Sequence, residues 1–247
     1  MEDNHSNRFK DAPWFPKENA EVIVGGAGGI GSWLTILLAR TSTPNIMVYD
    51  FDLLEAHNMA GQLYPVEAVG KLKVEALAET VKSFTGTTIL GFNEKLTKDT
   101  PSTNIMFGAF DNMEARKSIF DSWMGFVEIW KATKEKVDKG ETTWENEGIS
   151  PVTPLLIDGR LTLEQIQIFS VTPELAEEYE KEYLFPDGDV EDEVCTLKQT
   201  SHTAAMIGGH MVGFYTNHLA NEYSGEASRN VPFKWEYFIP VDLCLNS

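Results

Sequence analysis

Short apolar runs alternate with stretches of helical periodicity along this chain. Residues 22–24 form an apolar run that enters a glycine cluster, and the cluster opens a helix. A second apolar strand follows and ends in Asp50 and Asp52. Residues 53–65 predict a loop, and residues 66–84 carry apolar positions at helical spacing. Residues 88–92 and 104–108 read as a third and a fourth strand, and a helix is predicted from about Asn112. The polar stretch KEKVDKGETTWENEGISP reads as an exposed loop. Residues 154–158 and 166–171 predict further strands, residues 199–222 a long apolar helix, and residues 235–239 a last short strand.

Strands alternating with helices build a mostly parallel sheet covered on both faces. The predicted class is therefore α/β and Rossmann-like, with some antiparallel strands in the C-terminal half. It forms one domain over residues 1–247, with residues 1–20 as an N-terminal arm. Ligands on such sheets sit at the carboxyl ends of strands, where the strand order switches. That rule puts the glycine loop, Asp50 and Asp111 on one rim. Gly26, Gly28 and Gly31 spell G-x-G-x-x-G, with Gly29 among them, and Asp50 follows at roughly the 20-residue distance of a ribose-binding acid. The helix that opens here offers unpaired N–H groups and partial positive charge to an anion. The spacing predicts a nucleotide site without naming the nucleotide; a tight turn with no ligand is the alternative.

The glycine fingerprint alone favours NAD, and an NAD-dependent oxidoreductase is one reading. Three features pull towards a triphosphate. Asn58 and Gln62 stand in the crossing loop, and Lys73 follows where an ammonium suits phosphate oxygens. Asp111 stands directly after an apolar strand, where a carboxylate suits Mg²⁺. No Tyr-x-x-x-Lys pair or hydride-transfer histidine setting is evident. Taken singly, Lys73 also fits an exposed helix lysine, Asp111 a helix cap, and Arg116 a structural partner of such an acid.

Read in order, G-x-G-G-x-G-S at 26–32, Asp50-x-Asp52, Asn58-x-x-x-Gln62, V-G-x-x-K ending at Lys73, and D-N-x-x-x-R from Asp111 to Arg116 resemble the ThiF/MoeB family of ubiquitin-activating-type adenylyltransferases. The resemblance is strongest over residues 20–120 and continues to about 222. It implies ATP- and Mg²⁺-dependent adenylation of the C-terminal glycine of a ubiquitin-like or sulfur-carrier protein by a homodimer. By resemblance Gly26, Gly28, Gly29 and Gly31 lie under the nucleotide, and Asp50, with Asp52 beside it, takes the ribose. Asn58, Gln62 and Lys73 contact phosphates, and Asp111 holds Mg²⁺. Arg8 is the candidate for an arginine that reaches the partner copy's nucleotide. Residues of about 122–150, with Trp123, Trp130 and Trp144, read as an insertion in which the first two are core and the third exposed. Residues of about 174–194 read as a crossover-type loop, with Cys195 as a candidate thioester acceptor. The family's phosphate-binding arginine is replaced by Gly61, which leaves a catalytically weakened nucleotide-binding homologue as a reading. So does a member that adenylates another carboxylate. The two CxxC pairs of many relatives are missing, so no zinc is expected.

A net charge of -18 argues against nucleic acid and anionic membranes as partners. No run of about 18 uncharged apolar residues predicts a membrane span. Cys195 and Cys244 are too few for a disulfide scaffold, which reads as a reduced, cytoplasmic protein. Ten acids between Glu174 and Glu193 suit either a solvated face or a docking surface for a basic domain. They also raise the pKa of Cys195, against the lowering effect of the helix that follows. His202, His210 and His218 climb about 12 Å per step along the long helix, too far to share one ion.

Overall fold

A computed structural model describes residues 8–17, 19–162, 164–186 and 200–247. Cys195 and the end of the acidic run lie outside these residues. One eight-stranded sheet organises the rest, in the order β3-β2-β1-β4-β5-β6-β7-β8. β1 (Glu21–Gly25), β2 (Asn45–Tyr49), β3 (Leu90–Phe92), β4 (Ile105–Gly108) and β5 (Leu155–Thr162) run parallel. β6 (Gln165–Val171), β7 (Lys234–Phe238) and β8 (Leu243–Asn246) extend the sheet in antiparallel fashion from β5. The first crossovers leave β1 towards β2 and β3, whereas β4 pairs on its other side. The switch in strand order thus falls between β1 and β4.

Val22, Ile23 and Val24 are all buried because both faces of β1 are covered. On one face pack α1 (Gly29–Arg40), α2 (Lys73–Thr85) and α6 (Ser201–Ser224), against Val22, Val24 and Phe107. On the other pack α3 (Met113–Asp138) and α5 (Ala176–Tyr183), against Ile23 and Met106. Gly208 brings α6 onto α1 so closely that a Cβ there would lie 3.2 Å from the Leu34 nitrogen. Trp123 and Trp130 are core residues as expected, while Trp144, in the short α4 (Trp144–Glu147), is half-buried and stacks on Trp130 at 5.7 Å.

The expected helix over 66–84 starts only at Lys73. Residues Val66–Ala68 make a single 3₁₀ turn, and Gly70 stands at φ +94°, which ends that turn. The Gly70 and Leu54 N–H groups then bond Leu54 and Lys71 carbonyls, stitching the stretch to the crossing loop instead. The expected loop after residue 133 is helical to Asp138, supported by the Lys134–Asp138 and Glu135–Lys139 pairs, and stops before Gly140 at φ +72°. Strand β8 was not expected, because four residues are too few to show a period.

A buried ionic cluster lies under the β4–α3 junction. Asp158 of β5 sits beside Gly108 in register, and a Cβ on Gly108 would lie 2.9 Å from its Oδ1. That oxygen meets the Arg116 guanidinium, and Oδ2 accepts from Arg160 Nε at 2.7 Å and Tyr179 Oη at 2.8 Å. Burial pushes the Asp158 carboxyl up, but the charges of Arg116 and Arg160 outweigh it and hold the group below its ordinary value. Burial, with the Asp158 charge, lifts the Tyr179 hydroxyl far above the ordinary phenol range, so it remains a donor.

Trp123→Ala is expected to cost about 3–5 kcal/mol, read as a lower denaturant midpoint at unchanged slope. Because Asp158 titrates lower folded than unfolded, its stabilisation is present above about pH 4 and is lost as the pH falls through the folded value. Asp158→Asn, which leaves two guanidiniums unpaired, should lose roughly 3–5 kcal/mol at pH 7. It should also show a shallower fall in stability between pH 4 and 2 than the parent chain, by equilibrium unfolding.

Candidate functional site

The carboxyl ends of β1 and β4 open into a cleft of about 580 Å³. Gly26 turns the chain out of β1 at φ +94°, with its α-carbon so close to Ala109 that a Cβ would lie 2.7 Å from that carbonyl oxygen. Gly31 lies behind the turn, where a Cβ would be 1.8 Å from the Gly26 oxygen. Gly28 is different: a Cβ there would meet nothing within 4 Å, so this glycine leaves room on the cleft side. Gly28 caps α1 without any side-chain bond, and the first turn contains no acid. The N–H groups of that turn therefore keep their partial charge for whatever enters the cleft.

Asp50 ties two loops together. Its Oδ2 accepts from the Ala27 N–H at 2.7 Å and its Oδ1 from the Asp52 N–H at 2.8 Å. Burial pushes the Asp50 carboxyl above its ordinary value, against the opposing charge of Lys73 and these two bonds. Tyr64 closes the turn from the other side, its hydroxyl donating to the Ala27 carbonyl at 2.5 Å. The crossing loop is fastened to α1 through Leu63 N–H to Ser32 Oγ, 3.0 Å, and Trp33 Nε1 to the Gly61 carbonyl, 3.2 Å. Ser201, the first residue of α6, bonds the Ala60 carbonyl at 2.7 Å. Within this loop Asn58 spends its Oδ1 on the Glu55 N–H, leaving its amide donors, and the buried Gln62 Oε1 has no partner among the described residues.

Lys73 is only 8 % exposed, yet its Nζ reaches the cleft and pairs with Asp52 at 2.6 Å. It stands at the start of α2, where the turn at Gly70 delivers it. Opposite, Asp111 is exposed, and its Oδ1 accepts from Asn112 Nδ2 at 3.1 Å. Asn112, not Asp111, caps α3, by accepting the Ala115 N–H at 2.8 Å. Lys95 and Glu114 pair across the mouth at 2.8 Å. Among the described residues no group of three metal-ligating side chains occurs. The exposed Asp111 carboxylate on the cleft wall still fits Mg²⁺, which is usually held by one or two carboxylates together with substrate phosphates.

Gly26, Gly28, Gly29, Asp50, Asp52, Asn58, Gln62, Lys73 and Asp111 thus line a single cleft. Gly31 packs behind it, and Arg116 turns away from it to Asp158. Arg8 is not among the residues that line its own chain's cleft, and Lys17 of its arm lies over the Tyr223 ring in the last turn of α6, 4.6 Å away. Cys195 lies outside the described residues. The three α6 histidines go separate ways: His202 to Thr200, His210 against Trp235, and His218 to the Thr153 carbonyl. Tyr64, Trp33 and the Asp158–Arg160 pair escaped the sequence reading. The last carried a signal, since residues two apart on a strand share a face.

The model of the family described as "ThiF family" matches residues 17–234. The NEDD8-activating enzyme E1 catalytic subunit of Arabidopsis thaliana is 28% identical over 229 residues, 90% of this chain and 47% of that one. Ubiquitin-like modifier-activating enzyme 5 of Dictyostelium discoideum is 30% identical over 131 residues, 45% of this chain and 34% of that one. The chain thus spans about half, or less, of the length of these relatives. A solved structure of E. coli MccB with ATP superposes at TM-score 0.62 and 14% identity, covering 93% of this chain and 64% of MccB. The ThiF match runs from the residues before β1 into β7 and so takes in the glycine turn and Asp50: the chain belongs to the ThiF family.

Proposed function

We propose that this chain is an ATP-dependent adenylyltransferase that activates the C-terminal carboxylate of a ubiquitin-like or sulfur-carrier protein ending in glycine. One observation carries the reading. A single cleft joins the uncapped first turn of α1, the buried Lys73 ammonium and the exposed Asp111 carboxylate. A dinucleotide dehydrogenase has no need of the last two. The names of the relatives, two activating enzymes and a structural neighbour seen with ATP, support it.

In this reaction a carboxylate oxygen of the carrier attacks the α-phosphorus of ATP. The bond from that phosphorus to the bridging oxygen breaks, pyrophosphate leaves with the electron pair, and an acyl-adenylate remains. The obstacle is charge, because two anions must approach. The chain answers with N–H groups at the start of α1, the Lys73 ammonium, and the amide donors of Asn58 and Gln62, all fixed before the substrate arrives. Asp50 would accept the ribose hydroxyls while keeping its hold on both loops. Mg²⁺, held by Asp111, would neutralise phosphate charge and steady the leaving pyrophosphate. Arg8, which does not line its own cleft, would act on that of a second copy, so the proposal includes a homodimer. Transfer of the acyl group to the Cys195 thiolate, with release of AMP, is the proposed second step.

A catalytically weakened nucleotide binder is the rival, favoured by Gly61. Its carbonyl anchors Trp33, and the position carries no cation.

ATP–pyrophosphate exchange, measured with small carrier proteins ending in Gly-Gly, tests the reading. Exchange should depend on carrier and Mg²⁺, and Lys73→Ala should slow it by about 10²–10³-fold. Exchange undiminished by Lys73→Ala contradicts the assignment, and Mg-ATP bound without exchange supports the rival. Arg8→Ala should lower exchange, and Cys195→Ser should abolish a carrier-linked thioester without lowering exchange.

A further inference from the structure

The Asp111 carboxylate stands on a loop of four residues, Ala109 to Asn112, between β4 and α3. It is exposed, and its Oδ1 accepts from the side chain of its own neighbour Asn112. Its position is therefore set by the peptide before it. Two hydrogen bonds, one from the backbone and one from a side chain, hold the stretch before it. The Ala109 N–H donates to the Gly25 carbonyl at 2.8 Å, and the Phe110 carbonyl accepts from Arg116 Nη2. The Phe110 ring is seated over Gly25, where a Cβ would come within 2.5 Å of it.

Arg116 is itself clamped. Nη1 donates to Asp158 and to the Gly159 carbonyl, the latter at 3.1 Å. Asp158 is clamped in turn by Arg160 and Tyr179, and Arg160 Nη2 donates to the Tyr183 carbonyl of α5 at 2.9 Å. Two guanidiniums and one carboxylate buried together are poorly justified as a source of stability, since apolar residues of the same volume serve as well or better. A planar fork that bonds a carboxylate and a backbone carbonyl at once does provide fixed geometry.

We propose that Arg116 is a positioning residue for Asp111: anchored by Asp158, Arg160 and Tyr179, it fixes the Phe110 peptide and so the place where the Asp111 carboxylate meets a nucleotide-bound metal. The inference rests on the metal-holding role proposed above for Asp111. It differs from a purely structural role in what it affects. Loss of the fork should weaken the contribution of the metal to nucleotide binding and spare the contacts made by the glycine turn and Lys73, which lie on other elements.

Calorimetric titration of the full chain with ATP, in EDTA and in Mg²⁺, separates these effects. Arg116→Lys keeps a cation beside Asp158 but loses the fork. It is expected to cut the Mg²⁺-dependent gain in ATP affinity about tenfold or more, with affinity in EDTA changed by less than about twofold. Tyr179→Phe keeps the ring packing and removes one bond to Asp158, so it should lose less of the gain, in the same direction. Losses that are equal with and without Mg²⁺ overturn the proposal. So does an unchanged gain in folded Arg116→Lys or, where that variant does not fold, in Tyr179→Phe. A parent chain whose ATP affinity gains nothing from Mg²⁺ overturns it too. A parent chain that keeps the gain yet exchanges no pyrophosphate contradicts adenylation and leaves this test standing.

Discussion

The site depends on one half-buried carboxylate holding two backbone loops together. Asp50 takes an N–H from the glycine turn with one oxygen and an N–H from its own strand end with the other. Those loops leave adjacent parallel strands, and parallel strands place their loop ends side by side only at the carboxyl rim. Without the carboxylate, two N–H groups beside an open cleft would have to find water. Burial raises the Asp50 pKa in spite of both bonds and Lys73. Tyr64 braces the same turn from outside by bonding the Ala27 carbonyl, so the turn is fixed through both backbone polar groups of Ala27.

Electrostatics then constrains what the cleft does. The chain carries a net charge of -18, and the cleft wall includes Asp50, Asp52, Glu55, Glu94, Asp111 and Glu114. A triphosphate enters such a space only where positive character is concentrated. The fold concentrates it at the start of α1 and at Lys73, whose ammonium is kept in place by Asp52 at 2.6 Å. The divalent ion proposed for Asp111 would complete the balance at the far wall. The loop that carries Gly61 has become a strut instead, bonded to Trp33 and, through Ala60, to α6. Position 61 thus anchors the loop to α1 through its carbonyl and contributes no cation to the cleft.

Much of this was legible in sequence because it is local. The run from β1 through the glycines to Asp50 is one contiguous unit, and each residue's role follows from backbone geometry and helix ends. Lys73 and Asp111 were legible through their order, each just beyond a strand or turn of the same sheet. The errors came from medium range: apolar spacing over 66–84 is helical, but Gly70 at φ +94° and its bond to Leu54 divide the segment. The polar end of α3 looked like a loop because its helix is held by side-chain pairs rather than an apolar stripe. Least legible was the Arg116–Asp158 contact, between residues 42 positions apart that no periodicity links. Arg116 was read as a partner for an acid, and it is one, although the acid is Asp158 and not Asp111.

The proposed function requires that the cleft cradle a triphosphate between the first turn of α1, Lys73 and Asp111. A crystal structure of the chain with Mg²⁺ and a non-hydrolysable ATP analogue tests it most directly. The account predicts phosphate oxygens against the N–H groups of Gly28 and Gly29 and near Lys73 Nζ, the ribose at Asp50, and the ion on Asp111. A nucleotide bound elsewhere, or one in this cleft whose phosphates point away from α1 and Lys73, would contradict it.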